Sequence, residues 1–339
     1  MKLAVVDLGT NTCRLLLAEV QDGAFVRREV RETHVVRLGQ GVDRSGRLDG
    51  EAAARTRRRL ATYAARIAAY TPDRRLLVAT SVLRDATDGA AFLTGITRDF
   101  GLPHRVIGGE EEARLAFRGV TAWLAGEDAR RTADAEVAVV DIGGGSTEFA
   151  VGRPGLPPRF VRSLDMGAVR LTERFFAADP PTGAQWHDAV RFVDGLLRAG
   201  IPPGVRASAG VFVGVAGTFT TLVAHELGMR VYEPERVHGR TLTAVQIDRA
   251  IDLFRGLTSA QRGALPGIQK GREDVILAGA LIARAACRAF GAQAALVSED
   301  DILEGVALWL ADGLPALTPA RTPEPPTAPS TVPPAMPRA

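Results

Sequence analysis

Lysine is almost missing from this 339-residue chain: Lys2 and Lys270 are the only two. Arginine carries nearly all the positive charge, and the formal net charge is only +3. The arginines form no basic tail and no base-reading element accompanies them, so a nucleic-acid partner is not expected. A guanidinium fork does suit phosphate. Cysteine is also scarce. Cys13 and Cys287 stand far apart at no metal-ligand spacing, which excludes a structural zinc or a disulfide framework. No apolar run is long enough to span a bilayer, so no membrane partner is expected. The opening MKLAVVDLG lacks a signal-peptide core with a cleavage site. A cytoplasmic location is the expectation. A Walker A sequence is missing, which excludes a P-loop enzyme.

What is present centres on Val137 to Val151, VAVVDIGGGSTEFAV. An apolar strand ends in Asp141, followed by Gly143, Gly144, Gly145 and Ser146. Glycines let several N–H groups converge on one anion, a nest suited to phosphate. The strand-end acid could hold a metal or a water beside it. Taken alone, a plain Gly-rich hairpin fits equally. The same order of strand, acid, glycine and hydroxyls occurs near the start, as Asp7, Gly9, Thr10, Asn11 and Thr12. Two such hairpins predict a duplicated fold with two phosphate-gripping turns facing each other across a cleft.

Other stretches offer weaker signals. Thr80, Ser81 and Arg84 follow a buried strand, where open α/β sheets bind ligands; a helix cap with Asp85 in the first turn explains them too. Glu110, Glu111 and Glu112 open a helix, where acids complement its dipole. Successive helix residues turn by about 100°, so one acid can face inward while the others stay solvated. A third glycine–hydroxyl turn follows Val215, with Thr218 readable as an ordinary N-cap. His238 is either a base or a structural turn residue. Gly126 to Glu136 reads as a polar insertion, and from Gly313 the Pro-, Thr- and Ala-rich composition predicts a disordered tail. Two facing phosphate turns suit kinase, ATPase or phosphohydrolase chemistry, and a glutamate near the cleft could activate water.

Nine stretches occur in order: DLGTNTCRLLL, ATSVLRDA, GGEEEARLAF, VVDIGGGSTEF, SLDMGAVRLTERF, GVAGTFTTL, VHGRTL, GREDVILAGALI and SEDDILEGVA. Together they resemble the exopolyphosphatase and guanosine pentaphosphate phosphohydrolase family in its short bacterial form, over roughly residues 3 to 312. The resemblance implies an α/β fold of two ribonuclease-H-like domains, as in the actin-like ATPase and sugar kinase superfamily, with an interdomain cleft. The domains would span 1–123 and 124–312, with a final helix at about 300–312 able to pack back on the first. The implied activity is Mg²⁺-dependent release of terminal orthophosphate from inorganic polyphosphate. The alternatives are guanosine pentaphosphate as substrate, or a non-catalytic sensor of polyphosphate or alarmone. Asp7, Gly9, Thr10, Asn11 and Arg14 would grip phosphate from one side, and Gly143, Gly144, Gly145 and Ser146 from the other. Asp141 and Glu148 would hold Mg²⁺, Glu112 would be the catalytic base, and Arg84 would contact phosphate oxygens. Short members also imply a homodimer. Thr12 and Cys13 depart from the Ser and larger apolar residue common at these positions, and the tail has no counterpart.

Overall fold

The computed structural model describes residues 1–127 and 135–313. The expected insertion thus has residues 128–134 outside the described range, and the expected tail lies outside it from residue 314. Strand β1 (Lys2–Leu8) pairs antiparallel with β2 (Thr12–Gln21), and β2 with β3 (Ala24–Val35). On the other side β4 (Arg74–Ala79) and β5 (His104–Val106) join in parallel, giving the order β3-β2-β1-β4-β5.

The second sheet repeats this plan. Strands β6 (Glu136–Ile142), β7 (Thr147–Gly152) and β8 (Phe160–Leu164) form the antiparallel meander. Strands β9 (Ala209–Val215) and β11 (Ala294–Val297) follow in parallel. Strand β10 (Arg240–Thr243) adds an antiparallel edge beyond β11. The run β8-β7-β6-β9-β11 reproduces the first sheet's order, so the chain carries the expected pair of ribonuclease-H-like sheets. Strands β1 and β6 are buried on both faces, which is why their middles are unbroken apolar runs rather than alternations.

Helices Gly50–Tyr70 and Gly89–Phe100 cover one face of the first sheet, with Leu60, Tyr63, Ile67 and Leu93 packed on Val6, Leu15 and Leu77. The first of these begins at Asp49, whose carboxylate accepts the Ala52 N–H at 2.9 Å. Its buried Ala52, Thr56, Leu60, Tyr63 and Ile67 recur every three or four residues, a single apolar stripe. Helices Gly183–Gly200, Ala216–Glu226 and Ile276–Ala289 cover one face of the second sheet.

The remaining two faces are covered by exchange. Helix Gly109–Glu127 follows β5 of the first sheet, yet its Ala113, Phe117, Val120 and Leu124 pack on Val137, Val139 and Val213 of the second. Helix Ile302–Ala311 follows β11 of the second sheet, yet its Ile302, Leu303, Val306 and Trp309 pack on Leu3, Val5 and Leu16 of the first. These two helices cross with backbone against backbone. A Cβ on Gly119 would lie 2.0 Å from the Asp301 carbonyl oxygen, and one on Gly305 would lie 1.9 Å from that of Leu115. Only glycine leaves room for this approach. Gly305→Val must push the helices apart, so it should cost about 3 kcal/mol or more and lower the midpoint of a thermal melt by several degrees. A wild-type midpoint would mean that the crossing tolerates separation.

Candidate active site

The two hairpin turns that open the sheets are built alike. Strand β1 runs into the Gly9–Thr12 turn, closed by the Gly9 N–H donating to the Thr12 carbonyl at 2.9 Å. Strand β6 runs into the Gly143–Ser146 turn, closed by the Gly143 N–H donating to the Ser146 carbonyl at 3.0 Å. Register is matched too: Asp7 stands opposite Arg14, and Asp141 opposite Glu148. The turns then interlock. A Cβ on Gly145 would lie 2.5 Å from Ser81 Oγ and 2.9 Å from Thr10 Oγ1, so the second turn reaches the first only as bare backbone. Thr10 Oγ1 and Ser81 Oγ share a hydrogen bond of 2.9 Å. The N–H groups of Thr10, Asn11, Gly144, Gly145 and Ser146 donate to no backbone carbonyl among the described residues. They form the nest that an anion would fill.

A cleft of about 360 Å³ opens above these turns. Of the residues expected there, Asp7, Gly9, Thr10, Asn11, Arg14, Glu112, Asp141, Gly143, Gly144 and Ser146 form its wall. Three stand behind the wall. Gly145 is turned against Thr10 and Ser81. Glu148 is buried, its Oε1 accepting from Ser163 Oγ at 2.7 Å. Arg84 donates from Nη1 to the Ile107 carbonyl at 2.6 Å and stands 3.7 Å from Glu112 Oε2. Glu112 reaches the cleft, while Glu111 stands 3.8 Å from Arg105 and Glu110 is exposed, as the turn of a helix requires.

Arg14 is tied into the wall by residues that the sequence reading gave no site role. Arg14 donates from Nε to Asp7 Oδ2 at 2.8 Å and from Nη1 to Asp301. Asp301 also accepts the Leu303 N–H at 3.0 Å, capping the final helix. Arg31 donates to Glu304 and to Glu299, each at 3.0 Å. Burial pushes the Asp301 carboxyl up, but Arg14 and Arg31 outweigh it and hold it below the ordinary range. The available signal was the polar run Ser298 to Asp301 at the carboxyl end of β11, where open sheets place ligands. Arg31 sits mid-strand in β3 and nothing local singles it out.

Among the described residues no arginine stands within ion-pair distance of the acids of the second turn, and Arg14 and Arg84 only partly offset their charge from farther away. Burial, then repulsion from Glu148, pushes the Asp141 carboxyl well above its ordinary value. Burial pushes Glu148 to about 7, against the hydroxyls of Ser146 and Ser163. Burial and then Glu148 push Glu112 well up, with Arg84 opposing. Burial also raises Asp7, despite Arg14. Asp7 Oδ1 and Glu112 Oε2 are buried without a hydrogen-bond partner. Among the described residues no three His, Cys, Asp or Glu side chains gather into a ready-made metal cage. The buried carboxyls of Asp141 and Glu148, both raised by burial, are a donor pair that would fit a Mg²⁺ sharing its remaining positions with substrate and water.

For two side chains the structure decides between the alternatives left open by the sequence. Thr218 is not an N-cap: helix Ala216–Glu226 begins one turn earlier, at Val215, and Thr218 lines the cleft. His238 lies off the wall, its Nδ1 accepting the Glu299 N–H at 3.0 Å and its ring 4.2 Å from that of Trp123. It fixes the backbone at the end of β11. No helix among the described residues is long and apolar enough to cross a membrane.

Comparison with known proteins extends this picture. The profile of the Ppx/GppA phosphatase family matches residues 17–312. Exopolyphosphatase 2 of Mycobacterium tuberculosis is 39% identical over 328 residues, covering 91% of this chain and 98% of its own length. The crystal structure of the Aquifex aeolicus Ppx/GppA family member superposes with a TM-score of 0.76 at 33% identity, covering 92% of this chain and 98% of that one. A Cytophaga hutchinsonii exopolyphosphatase shares the fold, with a TM-score of 0.81 at 24% identity over 93% of this chain and 99% of its own.

The acid cluster has a consequence for stability. A carboxyl raised from 4.5 to about 7 in the native state binds protons there that the unfolded chain has released. Stability is therefore lost as pH rises through that window. The metal-free protein should melt at progressively lower temperature between pH 4.5 and 7, and Glu148→Gln should flatten that slope. Equal slopes for the two proteins would show that Glu148 is not strained by its neighbours.

Proposed function

Because the chain belongs to the Ppx/GppA phosphatase family, a family of hydrolases, we propose that it is an exopolyphosphatase. It would release the terminal phosphate of inorganic polyphosphate as orthophosphate, with water as nucleophile. The observation that carries this reading is the position of Glu112. Its carboxylate is mostly buried, faces the cleft beside the two interlocked turns, and leaves Oε2 without a hydrogen-bond partner. A water held there would find a base of raised proton affinity, which is the direction that general-base work near neutral pH requires. Arg84, 3.7 Å from Glu112 Oε2, limits that rise and stands ready as a further contact for phosphate oxygens.

The terminal phosphate would sit on the free N–H groups of both turns, which supply positive ends without needing to reorganise. Arg14 contributes differently from the grip expected of it. Its guanidinium is already shared between Asp7 and Asp301, so it acts as a fixed charge behind the nest. Asp141, with Glu148 behind it, would be the pair to hold Mg²⁺. A divalent cation there would neutralise phosphate oxygens and bring the raised carboxyls back toward their ionised forms. The name borne by the Mycobacterium tuberculosis relative, matched over nearly its whole length, supports polyphosphate over guanosine pentaphosphate as the substrate.

Glu112→Gln keeps the shape and removes the base. It should lower kcat for orthophosphate release from polyphosphate by about a hundredfold or more, with KM little changed. Comparable rates for variant and wild type would remove Glu112 from the mechanism.

A further inference from the structure

The cleft does not end at the phosphate turns. Tyr232 and Gln269 line both it and a second, more open groove of about 360 Å³, so the two spaces meet at that pair. The second groove is bounded by Met229 and Arg230 on one side and by the Gly263–Gln269 loop on the other. Among the described residues no carboxylate lines it, and its one charged side chain is Arg230, which is exposed and makes no hydrogen bond or ion pair there.

The junction between the two spaces holds a second cation of unusual standing. Arg272 is 8% exposed, and among the described residues its one side-chain hydrogen bond runs from Nη1 to Thr221 Oγ1 at 3.2 Å. Its Nε is buried with no partner. The guanidinium lies so close over Gly217 that a Cβ there would fall 1.8 Å from Nη1, so bare backbone is what admits it to the wall. Arg14 and Arg31, on the same wall, are each shared between two or more carboxylates. Among the described residues Arg272 has no carboxylate within ion-pair distance, and Glu299 only partly offsets its burial from farther away. A buried cation so weakly compensated is costly, and an arriving anion lowers that cost.

Building on the exopolyphosphatase reading, we propose that the non-terminal phosphates of a long substrate leave the catalytic turns past Arg272. They then run between Tyr232 and Gln269 into the groove under Arg230. Arg272 is the inner anion contact and Arg230 the outer one. A chain too short to reach Arg230 gains nothing from it, so this branch sets a preference for length. The groove's open, half-apolar form tolerates a flexible polyanion because a single exposed arginine attracts charge without fixing a geometry.

The test compares kcat/KM on tripolyphosphate and on long-chain polyphosphate, with Mg²⁺ present, for the full chain and for Arg230→Glu. The long-to-short ratio should fall about fivefold in the variant. An unchanged ratio, including a loss shared equally by both lengths, overturns the proposal, since a merely structural effect is blind to length. Selective loss on guanosine pentaphosphate with the polyphosphate ratio intact also overturns it, and assigns the groove to a nucleobase. If the wild type releases no phosphate from either length, the exopolyphosphatase reading itself fails and takes this branch with it. For the inner contact, Arg272→Lys should keep more of the long-chain kcat/KM than Arg272→Met at matched melting temperature. Equal losses would deny Arg272 its part.

Discussion

Arg14 sits where the two halves of the molecule must agree. Its guanidinium joins Asp7, at the end of the first sheet's central strand, to Asp301, at the start of the last helix among the described residues. Asp301 in turn caps that helix, which covers the first sheet although it follows the last strand of the second. One charge thus fixes a strand end, a helix start and the floor of the cleft together. Arg31 repeats the arrangement one strand over, tying β3 to Glu299 and Glu304. On the opposite side Arg170 pairs with Asp85 at 2.6 Å and Asp43 at 3.4 Å, so the halves are clasped behind the turns as well. Buried ion pairs add little net stability, because desolvation offsets their attraction. What they fix here is relative position, to within a hydrogen bond.

The duplication makes the chemistry legible because its two copies are not equal. Position for position, Arg14 in the first hairpin corresponds to Glu148 in the second. The first turn's acid is therefore neutralised from within, while the second turn's acid faces another carboxylate. Glu112 adds a third negative group from the helix that crosses between the sheets. The result is a cleft with N–H groups from both turns, arginines held by carboxylates near the first acid, and acids only partly offset near the second. The proposed substrate, a phosphate chain with a divalent cation, would complement both kinds of group.

Much of this was visible in the sequence. Asp7 and Asp141 announced themselves because a strand, an acid, a glycine and hydroxyls recurred in order, and local backbone chemistry is what such motifs encode. The same echo predicted a duplicated fold, and the family resemblance implied that each half is ribonuclease-H-like. Glu112 could be picked from three adjacent glutamates only through the family resemblance, since helix geometry says that one acid faces inward without saying which. Arg31, Arg272 and Asp301 were not legible as site residues. Their partners lie tens to hundreds of residues away, and their roles exist only once the exchanged helices bring β3 and the end of β11 together. Thr218 stayed open between a ligand turn and a cap for a related reason: a hydroxyl after a strand looks like a cap, but the helix had already begun at Ala216.

The central claim is that the turns present the terminal phosphorus to a water activated at Glu112. Hydrolysing polyphosphate in oxygen-18 water and analysing both products by mass spectrometry tests it most directly. Attack at the terminal phosphorus cleaves its bridging bond, leaves the bridging oxygen on the shortened chain, and places one oxygen-18 atom in each released orthophosphate. That is the predicted result. Label found in the shortened chain, with unlabelled orthophosphate, would mean that water attacks the penultimate phosphorus, and would contradict the assignment of the nest to the terminal phosphate.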